Sequence, residues 1–85
     1  MDYYTYIIYS KKLAKYYIGS TQDSLDERLR RHNSNHKGFT GRADDWEIAY
    51  FERFNTKADS LRREKEIKSW KSRVKLEELI RSSNV

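Results

Sequence analysis

The stretch that decides the fold is residues 3–19, YYTYIIYSKKLAKYYIG. Its first eight residues are mostly aromatic or β-branched, which favours a β-strand, and residues 15–19 have a similar character. Residues 11–14 interrupt this pattern and predict a turn. Because two strands this close in sequence pair antiparallel, the stretch predicts a β-hairpin.

Beyond the hairpin, the pattern changes to that of a helix. Ser24 and Glu27 have the spacing of a capping box, and Leu25, Leu29 and His32 recur on one helical face. The polar residues 33–45 then predict a long loop, and long loops in small domains are often functional.

The remainder of the chain predicts one more strand and two more helices. Residues 46–54 carry apolar side chains on both faces, which indicates a central strand covered on both sides. Thr56 and Asp59 predict the start of a helix over residues 57–70, and a shift of the apolar stripe at residues 71–72 predicts a separate helix over 73–81. The order β-β-α-β-α-α predicts an α+β fold, with a three-stranded antiparallel sheet flanked by three helices.

Length and composition limit what the chain can do. The 85 residues predict a single domain over residues 1–85, without room for a separate cofactor domain. Cysteine is absent, which excludes disulfides, thiolate metal sites and cysteine nucleophiles. No apolar run approaches the roughly 18 residues of a membrane span, and residues 1–20 do not resemble a signal peptide. We therefore expect a soluble cytoplasmic protein with no membrane partner.

The net charge of +5 is unevenly distributed. Residues 1–56 carry 9 basic and 8 acidic side chains, whereas residues 57–85 carry 9 basic and 5 acidic side chains. A basic second half indicates either a polyanionic partner, most simply nucleic acid, or a solvated helix with surplus Lys and Arg.

Several residues lie where packing alone would not place them. His32 falls at the centre of the apolar stripe of its helix, and Arg28 lies at the edge of that stripe. One interpretation is structural, with His32 half-buried and Arg28 extending its charged end to solvent. The other is that both are functional groups. Glu64 lies between Leu61 and Ile67, the expected buried side of a later helix. A carboxylate there is costly unless it pairs with an arginine, binds a metal or acts as an acid or base.

Taken together, these residues resemble the GIY-YIG nuclease domain over essentially the whole chain. The matching positions are Tyr6, Tyr17-Ile18-Gly19, Arg28, His32 and Glu64. The chain is most similar to the small stand-alone bacterial members, whose typical segments correspond to residues 16–19, 28–33, 39–40 and 63–65. It differs from the family pattern in its first triplet, Tyr4-Thr5-Tyr6, in Ser20 where some members carry Lys, and in having no Asn between Glu64 and Asn84.

The resemblance implies a metal-dependent endonuclease that hydrolyses phosphodiester bonds in DNA, with Mg²⁺ or Mn²⁺ as its cofactor. Glu64 would hold the metal, and Arg28 would grip the phosphate. Tyr6 is the candidate for activating the attacking water, with His32 as a proton relay and Tyr17 as the group that orients water or phosphate. Which of the two tyrosines is the base stays open at this point.

Basic and aromatic side chains around these residues predict contacts with a nucleic acid. The predicted phosphate-binding residues are Lys15, Arg30, Arg31, Lys37 and Arg42. A second basic stretch comprises Lys65, Lys68, Lys71, Arg73 and Lys75. Phe39 and Trp46 are candidates for stacking on unpaired bases.

Three hypotheses follow. The first is a monomeric bacterial endonuclease acting on DNA that is branched, damaged or single-stranded, as in repair or recombination. The second is a nucleic-acid-binding module with the same fold and little or no cleavage activity, motivated by the missing Asn. The third is a small enzyme or interaction domain unrelated to nucleic acid, with an aromatic core and an incidental basic helix.

Overall fold

Three antiparallel strands form the sheet in the computed structural model, which describes residues 2–34 and 38–83. The strands are β1 (Tyr3–Ser10), β2 (Lys15–Thr21) and β3 (Glu47–Phe54), in the spatial order β2-β1-β3. The predicted hairpin is β1 and β2. The prediction that the third strand is central is wrong, because β1 lies in the middle and β3 forms an edge. The pairing of β1 with β3 is irregular between Ile7 and Ile8. As expected for an edge strand, β3 leaves Phe51 52% exposed.

Three helices follow the order predicted from the sequence. They are α1 (Leu25–Ser34), α2 (Lys57–Ser69) and α3 (Arg73–Ser82), with a 3-10 turn at Thr40–Arg42 inside the region predicted as a loop. Ser24 Oγ accepts from the backbone N–H of Glu27, and Thr56 Oγ1 accepts from that of Asp59, so both predicted caps form. No helix in the described part of the chain is long and apolar enough to cross a membrane.

The central strand β1 buries both of its faces. Tyr6 and Ile8 pack with Trp46 and with α1. On the other face, Thr5 Oγ1 donates a hydrogen bond to the backbone carbonyl of Ser60 in α2 (2.6 Å). The α1 face and the α2 face of the sheet are therefore distinct. Trp46 is fully buried in this core, so the prediction that it is exposed for base stacking is wrong.

Helix α2 turns a different side toward the sheet than the sequence predicts. Ser60 and Ile67 are buried, whereas Leu61 is 45% exposed, so its predicted place in the core is wrong. Glu64 lies four residues after Ser60 and three before Ile67, and therefore shares their side of the helix. Its side chain is 18% exposed, as expected for a carboxylate at the border of the packed side.

Candidate active site

A chain of hydrogen bonds joins β1, α1 and the 3-10 turn. Arg28 Nε donates to Tyr6 Oη (3.2 Å), Tyr6 Oη lies 2.7 Å from His32 Nε2, and His32 Nδ1 lies 3.0 Å from Thr40 Oγ1. Arg28 and His32 reach the same hydroxyl because they are one helical turn apart. Three of the residues singled out in the sequence thus meet at one point on the α1 face.

His32 is neutral at physiological pH in this setting. Its burial, and then the positive charge of Arg28, lower the pKa of His32 from 6.5 to about 4. A neutral imidazole has one N–H and one lone pair. Arg28 donates to the oxygen of Tyr6. Every polar group of the chain is then paired if the Tyr6 O–H donates to His32 Nε2 and the His32 Nδ1–H donates to Thr40 Oγ1. Burial raises the pKa of Tyr6, Arg28 opposes that effect, and the charges of Tyr17 and Glu64 add to it.

The lowered pKa of His32 predicts a loss of stability in mild acid. The unfolded chain binds this proton near pH 6.5 and the folded chain only near pH 4, so the contribution is complete above pH 6.5 and is lost as pH falls toward 4. Between pH 7 and pH 5 the free energy of unfolding should fall by about 2 kcal/mol from this group. Urea unfolding at the two pH values measures the fall, and His32→Gln, which cannot titrate, should show a smaller one. An equal fall in both proteins would contradict the assignment.

An open groove of about 490 Å³ lies over this hydrogen-bond chain. Tyr17, Arg28, His32 and Thr40 line it, together with Phe39, whose ring stacks on that of Tyr17 (centroids 6.1 Å apart, planes at 21°). Within the described residues, the Tyr17 hydroxyl makes no hydrogen bond, so it is free to meet a ligand. Tyr6 is 1% exposed and is not part of the lining. The groove thus presents Tyr17 and Arg28, with Tyr6 behind them.

Gly19 makes room for the Tyr6 hydroxyl. It lies directly across from Tyr6 in the sheet, and a Cβ on Gly19 would come within 2.5 Å of Tyr6 Oη and 3.3 Å of Tyr17 Cε2. Both tyrosines therefore border the same small space, which only glycine leaves free.

Glu64 approaches from the other face of the sheet. Its Oε1 accepts a hydrogen bond from Ser20 Oγ (2.6 Å), and its Oε2 accepts from Lys68 Nζ (2.6 Å). Ser20 pairs with Thr5 on the α2 face, whereas Gly19 pairs with Tyr6 on the α1 face. The site therefore straddles the edge strand β2. Lys68 links the two sides, because its Nζ also lies 5.9 Å from the centroid of the Tyr17 ring.

The residues around Glu64 fit a hydrated Mg²⁺ ion. Residues 2–34 and 38–83 contain no cluster of three or more His, Asp or Glu side chains arranged to hold a metal. Mg²⁺, however, retains several waters and is commonly bound through one or two carboxylates. Glu64 is such a carboxylate, at a partly exposed position, and the Lys68 ammonium that now neutralises it is half-exposed and able to withdraw.

The family model of the GIY-YIG catalytic domain matches residues 2–77. The chain belongs to the GIY-YIG family. This confirms the resemblance deduced from the residues and places the chain among nuclease domains with nucleic acid as their substrate.

A solved structure supports the same fold for this GIY-YIG chain. The solution NMR structure of a UPF0213 protein from Bacillus halodurans is similar, with a TM-score of 0.57 and 29% identity over 94% of this chain and 83% of that one. The predicted α+β fold is thereby confirmed. No curated protein matches the chain.

The predicted phosphate-binding residues of the GIY-YIG domain lie in different places. Arg31 lines the groove and pairs with Asp23, and Lys15 Nζ lies 5.8 Å from the centroid of the Phe39 ring. Arg30 pairs with Glu27 outside the groove lining. Arg42 borders a separate hollow beside Lys12. Lys37 lies outside the described residues.

Two residues that contact Glu64 were not predicted from the sequence to do so. Lys68 follows Glu64 by four residues, a spacing at which opposite charges pair on a helix, so a signal for it existed. Ser20 gave no such signal, because its contact with Glu64 joins residues 44 positions apart.

Proposed function

We propose that this GIY-YIG domain, spanning residues 1–85, is a divalent-metal-dependent endonuclease that hydrolyses phosphodiester bonds in DNA. The observation that carries the proposal is the groove in which Arg28 and Tyr17 lie over the Tyr6–His32–Thr40 chain. Glu64 lies across the edge strand β2, bonded to Lys68, whose ammonium is 5.9 Å from the centroid of the Tyr17 ring. A divalent ion at Glu64 would supply positive charge against the phosphate and the leaving oxygen.

Arg28 is suited to bind the scissile phosphate. Its Nε is committed to Tyr6, and within the described residues its two terminal nitrogens make no hydrogen bond. These nitrogens can bind two phosphate oxygens in forked geometry. The bond to Tyr6 fixes the guanidinium plane in advance, so less side-chain entropy is lost when the phosphate arrives.

The two tyrosines take different roles in this mechanism. Tyr17 lines the groove with a free hydroxyl, so it positions the attacking water. Tyr6 is buried and bonded to His32, so it carries the proton: the water proton passes to Tyr6 Oη while the Tyr6 proton passes to His32 Nε2. Burial and, to a smaller extent, the charge of Arg28 lower the pKa of His32. Phosphate bound at Arg28 would offset the second of these causes, which makes His32 a better acceptor once substrate is present.

The proposal is tested by incubating the purified protein with labelled duplex, single-stranded and branched DNA, with Mg²⁺ or Mn²⁺ and in EDTA. Metal-dependent cleavage is expected. Salt-sensitive binding without cleavage would favour the nucleic-acid-binding module, and neither binding nor cleavage at low salt would refute both.

Tyr17→Phe is expected to lower kcat by about a hundredfold, because it removes the hydroxyl that positions the water. The ring contacts with Phe39 and His32 remain, so KM and thermal stability should change little. Single-turnover cleavage measures the effect. Tyr50→Phe is the matched control, since Tyr50 lies on β3 outside the groove lining and its hydroxyl donates to Glu52 instead. Equal activity of both variants would remove Tyr17 from the mechanism.

A further inference from the structure

A second groove lies between β2 and the two C-terminal helices. It has a volume of about 300 Å³ and includes four basic residues, Lys15, Lys68, Lys71 and Arg73, with no acidic residue in its lining. These cations come from β2, from α2, from the turn after α2 and from α3. Ile18 and Leu76 contribute apolar surface between them. A concave surface with one sign of charge concentrates anions.

The turn between α2 and α3 holds Lys71 in an unusual conformation. Lys71 has φ +49°, in the left-handed region that is unfavourable for a residue other than glycine. Ser72 then caps α3 by accepting from the backbone N–H of Lys75. The reversal brings the side chain of Lys71 to the groove beside Lys68 and Arg73, although glycine would fit this backbone with less strain.

Two of the four cations are available for a ligand. Arg73 is engaged, because it donates to the carbonyl of Ala14 (2.7 Å) and pairs with Glu77. Lys68 pairs with Glu64. Lys15 and Lys71 have no carboxylate partner within the described residues. Both ammonium groups are exposed, so they are free to pair with an anion in the groove.

The second groove borders the groove lined by Tyr17, Arg28 and Phe39, which is the proposed catalytic groove. Lys15 Nζ lies 5.8 Å from the centroid of Phe39, and Lys68 Nζ lies 5.9 Å from that of Tyr17. Both rings belong to the lining of the catalytic groove. A strand that leaves the first groove past Tyr17 and Phe39 would thus meet this second basic surface.

We infer that the groove of Lys15, Lys68, Lys71 and Arg73 binds the sugar-phosphate backbone of the substrate strand next to the scissile bond. This rests on the proposed function, since it names how the same substrate is held beyond the reacting phosphate. Lys15 and Lys71 supply the phosphate contacts, and Ile18 and Leu76 pack against the sugars. Only part of the basic stretch in α2 and α3 therefore contacts the substrate. Lys65 and Lys75 are exposed but lie outside the groove lining, so they do not contribute to binding.

Binding of fluorescein-labelled single-stranded DNA in EDTA tests this inference, because cleavage is then absent. The double variant Lys15→Ala/Lys71→Gly should bind about tenfold more weakly at low salt, and the slope of log K against log[salt] should fall in magnitude by about 1.4, or 0.7 for each lost contact. The control is Lys65→Ala/Lys75→Ala, which also removes two positive charges, one from α2 and one from α3, and should weaken binding much less than the groove variant at about 0.15 M salt, where distant charges are screened.

The outcomes separate the inference from the proposed function. Equal weakening by the two double variants would overturn the groove while leaving nucleic-acid binding intact. No binding by the unmodified protein at low salt would overturn the proposed function and the groove together. Loss of folding does not explain a weaker Lys71→Gly variant, because glycine suits the backbone there and this change should hold or raise the unfolding free energy. The single variant Lys71→Gly, measured by urea unfolding and by DNA binding, shows whether weaker binding occurs without loss of stability.

Discussion

Glu64→Gln is expected to lower the cleavage rate by at least about a thousandfold while DNA binding in EDTA is retained or slightly strengthened. The substitution keeps the size of the side chain and removes the negative charge that would hold the metal. Ser20 Oγ and Lys68 Nζ lose their charged acceptor, but the half-exposed Lys68 can turn to solvent, so the fold should persist. Any change in DNA affinity should be an increase, because the substitution removes a negative charge near the proposed phosphate site.

Glu78→Gln is the matched control for this prediction. Glu78 is exposed on α3, and it takes part in no ion pair among the described residues. Both variants should be assayed with the same labelled DNA at several Mg²⁺ or Mn²⁺ concentrations, alongside Mn²⁺ binding followed by electron paramagnetic resonance. If Glu64→Gln cleaves as fast as Glu78→Gln, Glu64 is not the metal-binding group; identical products at identical rates from all proteins would point to a contaminating nuclease.

Gly19→Ala should produce the largest loss of stability among single substitutions at the site. The new Cβ would meet Tyr6 Oη at 2.5 Å and Tyr6 Cζ at 2.7 Å, well inside contact distance. The Tyr6 ring has no room to retreat, because it is fully buried on the central strand and its hydroxyl is bonded to Arg28 and His32. We expect the free energy of unfolding to fall by about 3 kcal/mol, and cleavage to be lost with the displaced hydroxyl.

Gly38→Ala provides the comparison. A Cβ there would meet nothing within 4 Å, and the only cost comes from its φ of +75°, about 1 kcal/mol. Urea unfolding of the two variants measures the difference directly. Similar losses at both glycines would mean that close packing against Tyr6 is not the reason for glycine at position 19.

Local patterns in the sequence predicted the helices and strands, whereas the order of the strands in the sheet depends on contacts between residues far apart in the sequence. Ser24, Thr56 and the break at residues 71–72 are short-range signals, and the structure places helix starts at all three. Apolar side chains on both faces of residues 46–54 indicated a central strand. The same pattern occurs on the edge strand β3 because α2 covers one face, Ile48 packs into the core on the other, and Phe51 is left largely exposed.

The candidate site was predictable to the extent that helical spacing and strand alternation bring residues together. Arg28 and His32 meet Tyr6 because they lie one turn apart on a helix that packs on the face of Tyr6. The role of Ser20 depends on how α2 lies against β2, which no local pattern encodes. The proposed division of roles between Tyr6 and Tyr17 likewise rests on burial, which separates a hydroxyl inside the core from one in the groove.

Because the site straddles β2, its two halves belong to different layers of the protein. Arg28, His32 and Thr40 are placed by the α1 layer, while Glu64 is supplied only by a docked α2. Local opening of α2 would withdraw the carboxylate while leaving the Arg28–Tyr6–His32 contacts, which do not involve α2, in place. The proposed cleavage therefore requires α2 to be docked on β2, and a molecule in which α2 has opened should retain Arg28 as a phosphate contact without cutting the strand.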